Sequence, residues 1–294
     1  MEKQREYLLS TETTCDMPRE YYREHGINLL GLTYIIDGKE YDSASDDSLT
    51  PDEFFDKIRN GAMPKTSQVT VESAVKSFEA IVKEGKDVFH LAFSSGLSGT
   101  YQSCCIAAAE VMERHPGSKV IVVDSLAASM GQGLMLDYCV RLKDKGFSLS
   151  ELTETITRDR LKFCHNFTVN DLFHLHRGGR VSKMSAVVGT ALGIKPLLHV
   201  DDDGHLINVG KTRGRKQALT WLVDRMADRI GDNKNEKIFI SHSACYEDAK
   251  FVADLVRERF HIDDILIGDI GQVIGSHTGI GTGALFFVGD TRDI

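Results

Sequence analysis

The chain is 294 residues long, more than one ordinary core fills and enough for two domains. Its 35 basic and 43 acidic residues leave a net charge of -8, which argues against general nucleic-acid binding. Hydrophobic residues make up 41%, as in soluble globular proteins, and no apolar run approaches the roughly 18 residues of a membrane span.

Tyr7 to Ser10 reads as a strand, and Asp16 with Pro18 starts a helix that stops at Gly26. Ile27 to Ile36 and Lys39 to Tyr41 are expected to form a hairpin over the Asp37-Gly38 turn. Thr50-Pro51-Asp52-Glu53 joins a capping box to a Pro at the first helical position, opening a helix that ends near Gly61. From Thr70, apolar residues at 71, 74, 75, 78, 81 and 82 recur at helical spacing until Gly85. Val88 to Phe93 and Val120 to Val123 are unbroken apolar runs, expected as buried parallel strands with a helix over Thr100 to Arg114 between them. Met130 to Lys145 supplies one more helix before Gly146. This alternation predicts a parallel sheet between helical layers, an α/β/α first domain over residues 1–147.

The second half, residues 148–294, opens on another capping box, Ser148-Leu149-Ser150-Glu151. Lys162 to Val169 reads as a strand. Lys195 to Val200 and His205 to Val209 form an expected hairpin over Asp201-Asp202-Asp203-Gly204, a turn rather than a calcium loop. A helix over Lys216 to Ile230 leads to a strand over Lys237 to Ser241. Glu247 to Phe260 is a helix; Ile265 to Ile270 and Ala284 to Val288 are strands. The hairpin makes this a mixed-sheet α/β domain.

Cys15, Cys104, Cys105, Cys139, Cys164 and Cys245 show no Cys-x-x-Cys spacing, which predicts reduced thiols in a cytoplasmic protein. Cys104 and Cys105 are neighbours on a helix, so at least one should face the core. The charged start, Met1 to Glu6, has no apolar region behind it. His174 and His176, two apart, are expected on one side of a strand, without a third ligand for a metal.

The run Phe93-Ser94-Ser95-Gly96-Leu97-Ser98-Gly99-Thr100-Tyr101 turns a buried strand into a helix through small hydroxylic residues. Backbone N–H groups and Ser hydroxyls then face one point at the positive helix end, which suits an anion. There is no Lys where a nucleotide P-loop has one, and no Gly-x-Ser-x-Gly elbow. A small anionic head group is the expected ligand, with Ser94, Ser95 and Gly96 as donors. Ser98 and Thr66 are head-group ligands or plain helix caps. A hydrolase using a Ser of this turn, such as Ser95, with His277 as base is an alternative, although no local signature adds an acidic orienting group. The Arg177-Gly178-Gly179-Arg180 turn either places the Arg180 guanidinium near an anion or ties two domains together by carboxylate pairing.

Together with this turn, Pro64-Lys65-Thr66-Ser67-Gln68, Arg177 to Ser182 and Gly275-Ser276-His277-Thr278-Gly279-Ile280-Gly281 resemble the DegV family of bacterial fatty-acid-binding proteins. Thr14-Cys15-Asp16, Gly193 to Leu198 and Lys211 to Lys216 extend the match from about residue 8 to the end. The resemblance implies the two-domain EDD fold and one long-chain fatty acid, such as palmitate, stearate or oleate, between the domains. Its carboxyl would lie near Thr66 and Ser98, with His277 and Thr278 close by. Such proteins present the fatty acid to a separate ATP-dependent kinase, which makes acyl-phosphate for phospholipid synthesis. The chain would be the lipid-carrying subunit, without an ATP site, cofactor or metal of its own, and a monomer or weak homodimer. Lys211, Arg213 and Arg215 match the segment implicated in engaging the kinase; a solvated helix start is the plainer reading. A lipid sensor without a delivery role is a further alternative. Glu12, Gly31 and Lys65 depart from the usual family residues.

Overall fold

The computed structural model describes residues 5–170, 172–181, 193–234 and 236–292, so Ser182 of the Arg-Gly-Gly-Arg motif lies outside the described residues. The first half is built on β1 (Tyr7–Glu12), followed by α1 (Arg19–Glu24) and β2 (Asn28–Leu30). β3 (Thr33–Ile36), β4 (Lys39–Asp42), α2 (Pro51–Arg59), β5 (Lys65–Ser67) and α3 (Val71–Lys83) come next. β6 (Asp87–Ala92), α4 (Thr100–Arg114), β7 (Val120–Asp124) and α5 (Met130–Asp144) complete it. Four strands form a wholly parallel sheet in the order β2-β1-β6-β7.

Local signals place most of these elements. Thr50 and Glu53 make both bonds of their capping box, and the Thr70 side chain accepts from the Ser73 N–H. α3 and α4 pack together over one face of the sheet through Ala74, Phe78, Cys104 and Val111. Cys104 is buried there and Cys105 only half-buried. The expected hairpin over 27–36 is split. Its first part, β2, pairs with β1, and only β3 turns back on β4, with β5 as the third strand of a small antiparallel sheet. Pairing with a strand distant in sequence outweighs the continuity of the apolar run.

The second half runs α6 (Leu149–Asp159), β8 (Phe163–Thr168), α7 (Phe173–Arg177), β9 (Ile194–Val200) and β10 (Leu206–Arg213). α8 (Arg215–Ala227), β11 (Ile238–His242), α9 (Tyr246–Phe260), β12 (Ile265–Asp269), α10 (Gln272–Thr278) and β13 (Gly283–Val288) follow. Its sheet is mixed, in the order β10-β9-β8-β13-β11-β12, with β11 and β12 as its parallel pair. α7 corrects the strand expected at His174 and His176. α10 corrects the reading of 275–281 as a loop, since Gly275, Ser276 and His277 are helical. The 205–209 strand runs on to Arg213, so Lys211 and Arg213 stand on an edge strand rather than at a helix start.

α5 joins the halves. Met130, Leu134, Met135 and Leu136 are all fully buried, and the helix touches β1 as well as β8, β11 and β13. A helix apolar all round belongs inside a core. Tyr7 and Leu9 share one cluster with Phe163, Phe167 and Phe286. Among the described residues no helix is long and apolar enough to cross a membrane.

Candidate functional site

Between the two large sheets lies a cavity of about 400 Å³, within the range of about 300–1,000 Å³ usual for small-molecule sites. Its walls are mostly apolar, with Phe93, Leu97, Phe167, Val273, Ile274 and Phe286 facing it. Thr66, Ser98, Arg180, His277 and Thr278 also line it, so four stretches distant in sequence share one space.

Thr66 sits on β5 rather than on a loop, and its Oγ1 lies 2.8 Å from His277 Nε2 on α10. The other ring nitrogen, Nδ1, has no hydrogen-bond partner among the described residues and faces Gly178, where a Cβ would stand 2.2 Å away. Any larger residue at 178 would push the imidazole from its place. Burial, then the charges of Arg180 and Arg177, lower the His277 pKa to about 4. The ring is therefore neutral at pH 7 in a positive surrounding.

Ser98 Oγ accepts from the Thr100 N–H at 3.2 Å and lies 3.0 Å from Thr100 Oγ1, so it helps to shape the helix start while facing the cavity. The Arg180 Nε–H donates to Leu97 O at 3.1 Å, and the guanidinium also donates to Gly178 O. Arg177 donates to Pro64 O and Ser276 O, each at 3.1 Å. Neither arginine forms an ion pair with a carboxylate among the described residues, which counts against the alternative of a tie by carboxylates. They hold Pro64, Ser276, Leu97 and Gly178 through carbonyls.

Within the Ser-rich turn, Phe93, Leu97, Ser98 and Gly99 line the cavity, whereas Ser94, Ser95 and Gly96 do not. Ser94 is fully buried and donates to Gly204 O at 2.8 Å; Ser95 is exposed; Gly96 approaches Asp203 and Gly204. The N–H groups of Ser95, Gly96, Leu97, Ser98 and Thr100 already have partners within the turn or on Asp124. Most of the expected backbone cradle is thus closed on itself, leaving polar side chains and Gly99 on the wall. Ser95 and His277, which a hydrolase would need together, do not meet. Lys211 and Arg213 are exposed on β10, whereas Arg215 is held by Asp248 at 2.9 Å.

Glu12, met in the sequence only as a departure from the family, and Asp16 of the Thr14-Cys15-Asp16 match stand behind the site. Glu12 is fully buried. It accepts from the Phe93 N–H and Gln132 Nε2, each at 3.0 Å, and lies 3.0 Å from His90 Nε2. It therefore fixes the start of the Ser-rich turn. Glu12, His90 and Cys104 bring ligand atoms within 4.8 Å of one another, but the first two already satisfy each other and their neighbours. Asp16 is buried at the start of α5, and burial raises its pKa to about 7.

The DegV family model matches residues 8–290. A DegV domain-containing protein of Clostridium perfringens is 45% identical over 289 residues, 98% of this chain and 99% of that protein. A DegV family protein from Thermus thermophilus, described by its fatty-acid binding, is similar in structure. Its TM-score is 0.85 at 30% identity, over 97% of this chain and 99% of that one. A fatty-acid-binding DegV family protein from Streptococcus agalactiae matches with a TM-score of 0.84 at 28% identity, over 98% of this chain and 100% of that one.

Proposed function

The chain belongs to the DegV family, and we propose that it holds one long-chain fatty acid in the cavity between its sheets. The observation that carries this reading is an apolar cavity with Thr66, Ser98, His277 and Arg180 on its wall. The fatty-acid binding described for the Thermus thermophilus and Streptococcus agalactiae proteins supports it. Burying about fourteen methylenes at roughly 0.8 kcal/mol each gives on the order of 11 kcal/mol of gross driving force. Ordering the chain and desolvating its carboxylate reduce that sum, so the polar groups orient more than they attract. The Thr66 and Ser98 hydroxyls donate to the carboxylate, and the Arg180 charge stands near it. The division near Phe147 remains part of the proposal, as two domains whose facing sides both pack against α5.

In the finer part of the proposal, the protein delivers its lipid to an ATP-dependent fatty-acid kinase. The exposed Lys211 and Arg213 on the edge strand are suited to an acidic docking surface; Arg215, held by Asp248, is left out of it. Organic extraction and mass spectrometry of protein purified without added lipid test the binding step. The expected result is one equivalent of a C14–C18 fatty acid. Lipid-free protein that also takes up no fluorescent fatty acid would refute it.

A further inference from the structure

The cavity wall has a second polar region, set apart from Thr66 and His277. Ser129 and Ser241 both line the cavity and are buried. Ser129 Oγ donates to Asp16 Oδ2 at 2.6 Å. Asp16 in turn lies beside Gly271, the residue before α10, where a Cβ would meet Oδ1 at 2.6 Å. His277 is six residues further along that helix, a rise of about 9 Å. The polar region thus lies toward the other end of that helix from His277, at the distance at which a fatty acid held at Thr66 would place the middle of its chain.

Proton counting fixes what this region presents. The Ser129 and Ser241 hydroxyls are 3.2 Å apart, and each has one proton. With Asp16 ionised, Ser129 uses its own on the carboxylate, and the bond between the two serines is then made by Ser241 donating to Ser129. Both protons then point toward Asp16 and away from the ligand space. Ser241 is left with lone pairs facing the cavity. His165 also lines the cavity, but its Nε2 accepts from the Ala128 N–H at 3.5 Å, so its ring is already engaged and Ser241 is the acceptor this region offers. A plain hydrocarbon chain would cover that acceptor without bonding it, which is unfavourable.

We propose that Ser241 forms a subsite for a hydroxyl carried on the acyl chain, so that the cavity discriminates mid-chain hydroxy fatty acids from plain ones. The ligand O–H donates to Ser241 Oγ, extending the row to Ser129 and Asp16. This rests on the fatty-acid reading above and adds a specificity to it.

Binding of octadecanoic acid and of a mid-chain hydroxyoctadecanoic acid is to be compared by calorimetry in the unaltered protein, in Ser241→Ala and in Ser241→Cys, a weaker acceptor. The ratio of the two affinities is expected to shift about tenfold toward the plain acid in Ser241→Ala, and in the same direction in Ser241→Cys. Melting curves of each variant verify that the fold is retained. Octadecanoic acid bound with an unchanged ratio overturns the subsite alone and leaves a trapped water as the partner of Ser241. Failure of both acids to bind the unaltered protein overturns the fatty-acid reading as well.

Discussion

Thr66 and Ser98 reach the cavity from a short strand and a helix start that are 32 residues apart in sequence. Replacing both by Ala is expected to weaken fatty-acid binding by about 1.5–3 kcal/mol for each lost bond to a charged group, with little change in melting. Fluorescent displacement titration reads this directly; unchanged affinity would place the carboxylate elsewhere. His277 offers an independent probe. Its pKa stands at about 4 because burial and two guanidinium charges disfavour the imidazolium. A carboxylate arriving nearby favours the charged form, so an NMR titration should show that pKa rising on fatty-acid binding. In the ligand-free protein the unfolded chain holds this proton more tightly, so the contribution of His277 to stability grows from pH 4 to 6.5 and is lost on acidification. The identities of these residues were legible because Thr66, Ser98, Arg180 and His277 stand in distinct motifs. Asp16 stands in one too, but its burial and its place beside Ser129 and Ser241 arise only when β11 and α5 come together.

At the scale of elements, what was legible was local. Capping boxes at Thr50 and Ser148 and the apolar spacing after Thr70 each lie within a few turns of chain, and the structure has all three. The misread elements depend on distant partners. β2 leaves its expected hairpin to pair with β1. α7 and α10, of five and seven residues, are too short for a periodic signal. Gly275 disguised α10 further; it is glycine because a Cβ would meet the Phe55 ring at 2.8 Å, not because the backbone turns there. Glu12 links three elements, joining β1 to His90 of β6 and Gln132 of α5. Glu12→Ala leaves the Phe93 N–H without its acceptor, worth about 1–3 kcal/mol when buried, while Gln132 Nε2 keeps Thr11 Oγ1 and Leu91 O. A lower urea midpoint is expected, together with weaker fatty-acid binding because the Ser-rich turn begins at Phe93. A midpoint like that of the unaltered protein would show that water replaces the carboxylate.

For the molecule as a whole, α5 makes the two halves one packing unit. The sequence suggested a boundary after this helix, because its Gly146 end and the following capping box look like punctuation. The buried faces of α5 show that punctuation of the chain is not separation of cores. The edge strand β10 carries the exposed Lys211 and Arg213, where charge also discourages strand-to-strand association. Arg213→Ala is expected to leave fatty-acid affinity nearly unchanged while slowing acyl-phosphate formation with the partner kinase. Added salt should slow the unaltered pair and so narrow the difference that Arg213→Ala makes, since exposed charges are screened beyond about 8–10 Å at physiological ionic strength. Equal loss of binding and phosphorylation would count against docking at this edge.

The carbonyl-bound guanidinium of Arg180 has a consequence for the life of the protein in the cell. With burial already lowering its pKa and no carboxylate to balance it among the described residues, the vacant protein holds an unrelieved charge. An anionic lipid relieves it, so cargo and host stabilise one another: at a hundredfold excess over Kd, a ligand adds about 2.7 kcal/mol. Turnover by proteases that attack opened chains then slows as lipid becomes plentiful. Resistance to a test protease with and without added oleate measures this, and equal digestion in both would remove the link. The standing amount of the protein would follow the supply of what it carries, an inventory kept by folding rather than by a separate sensor.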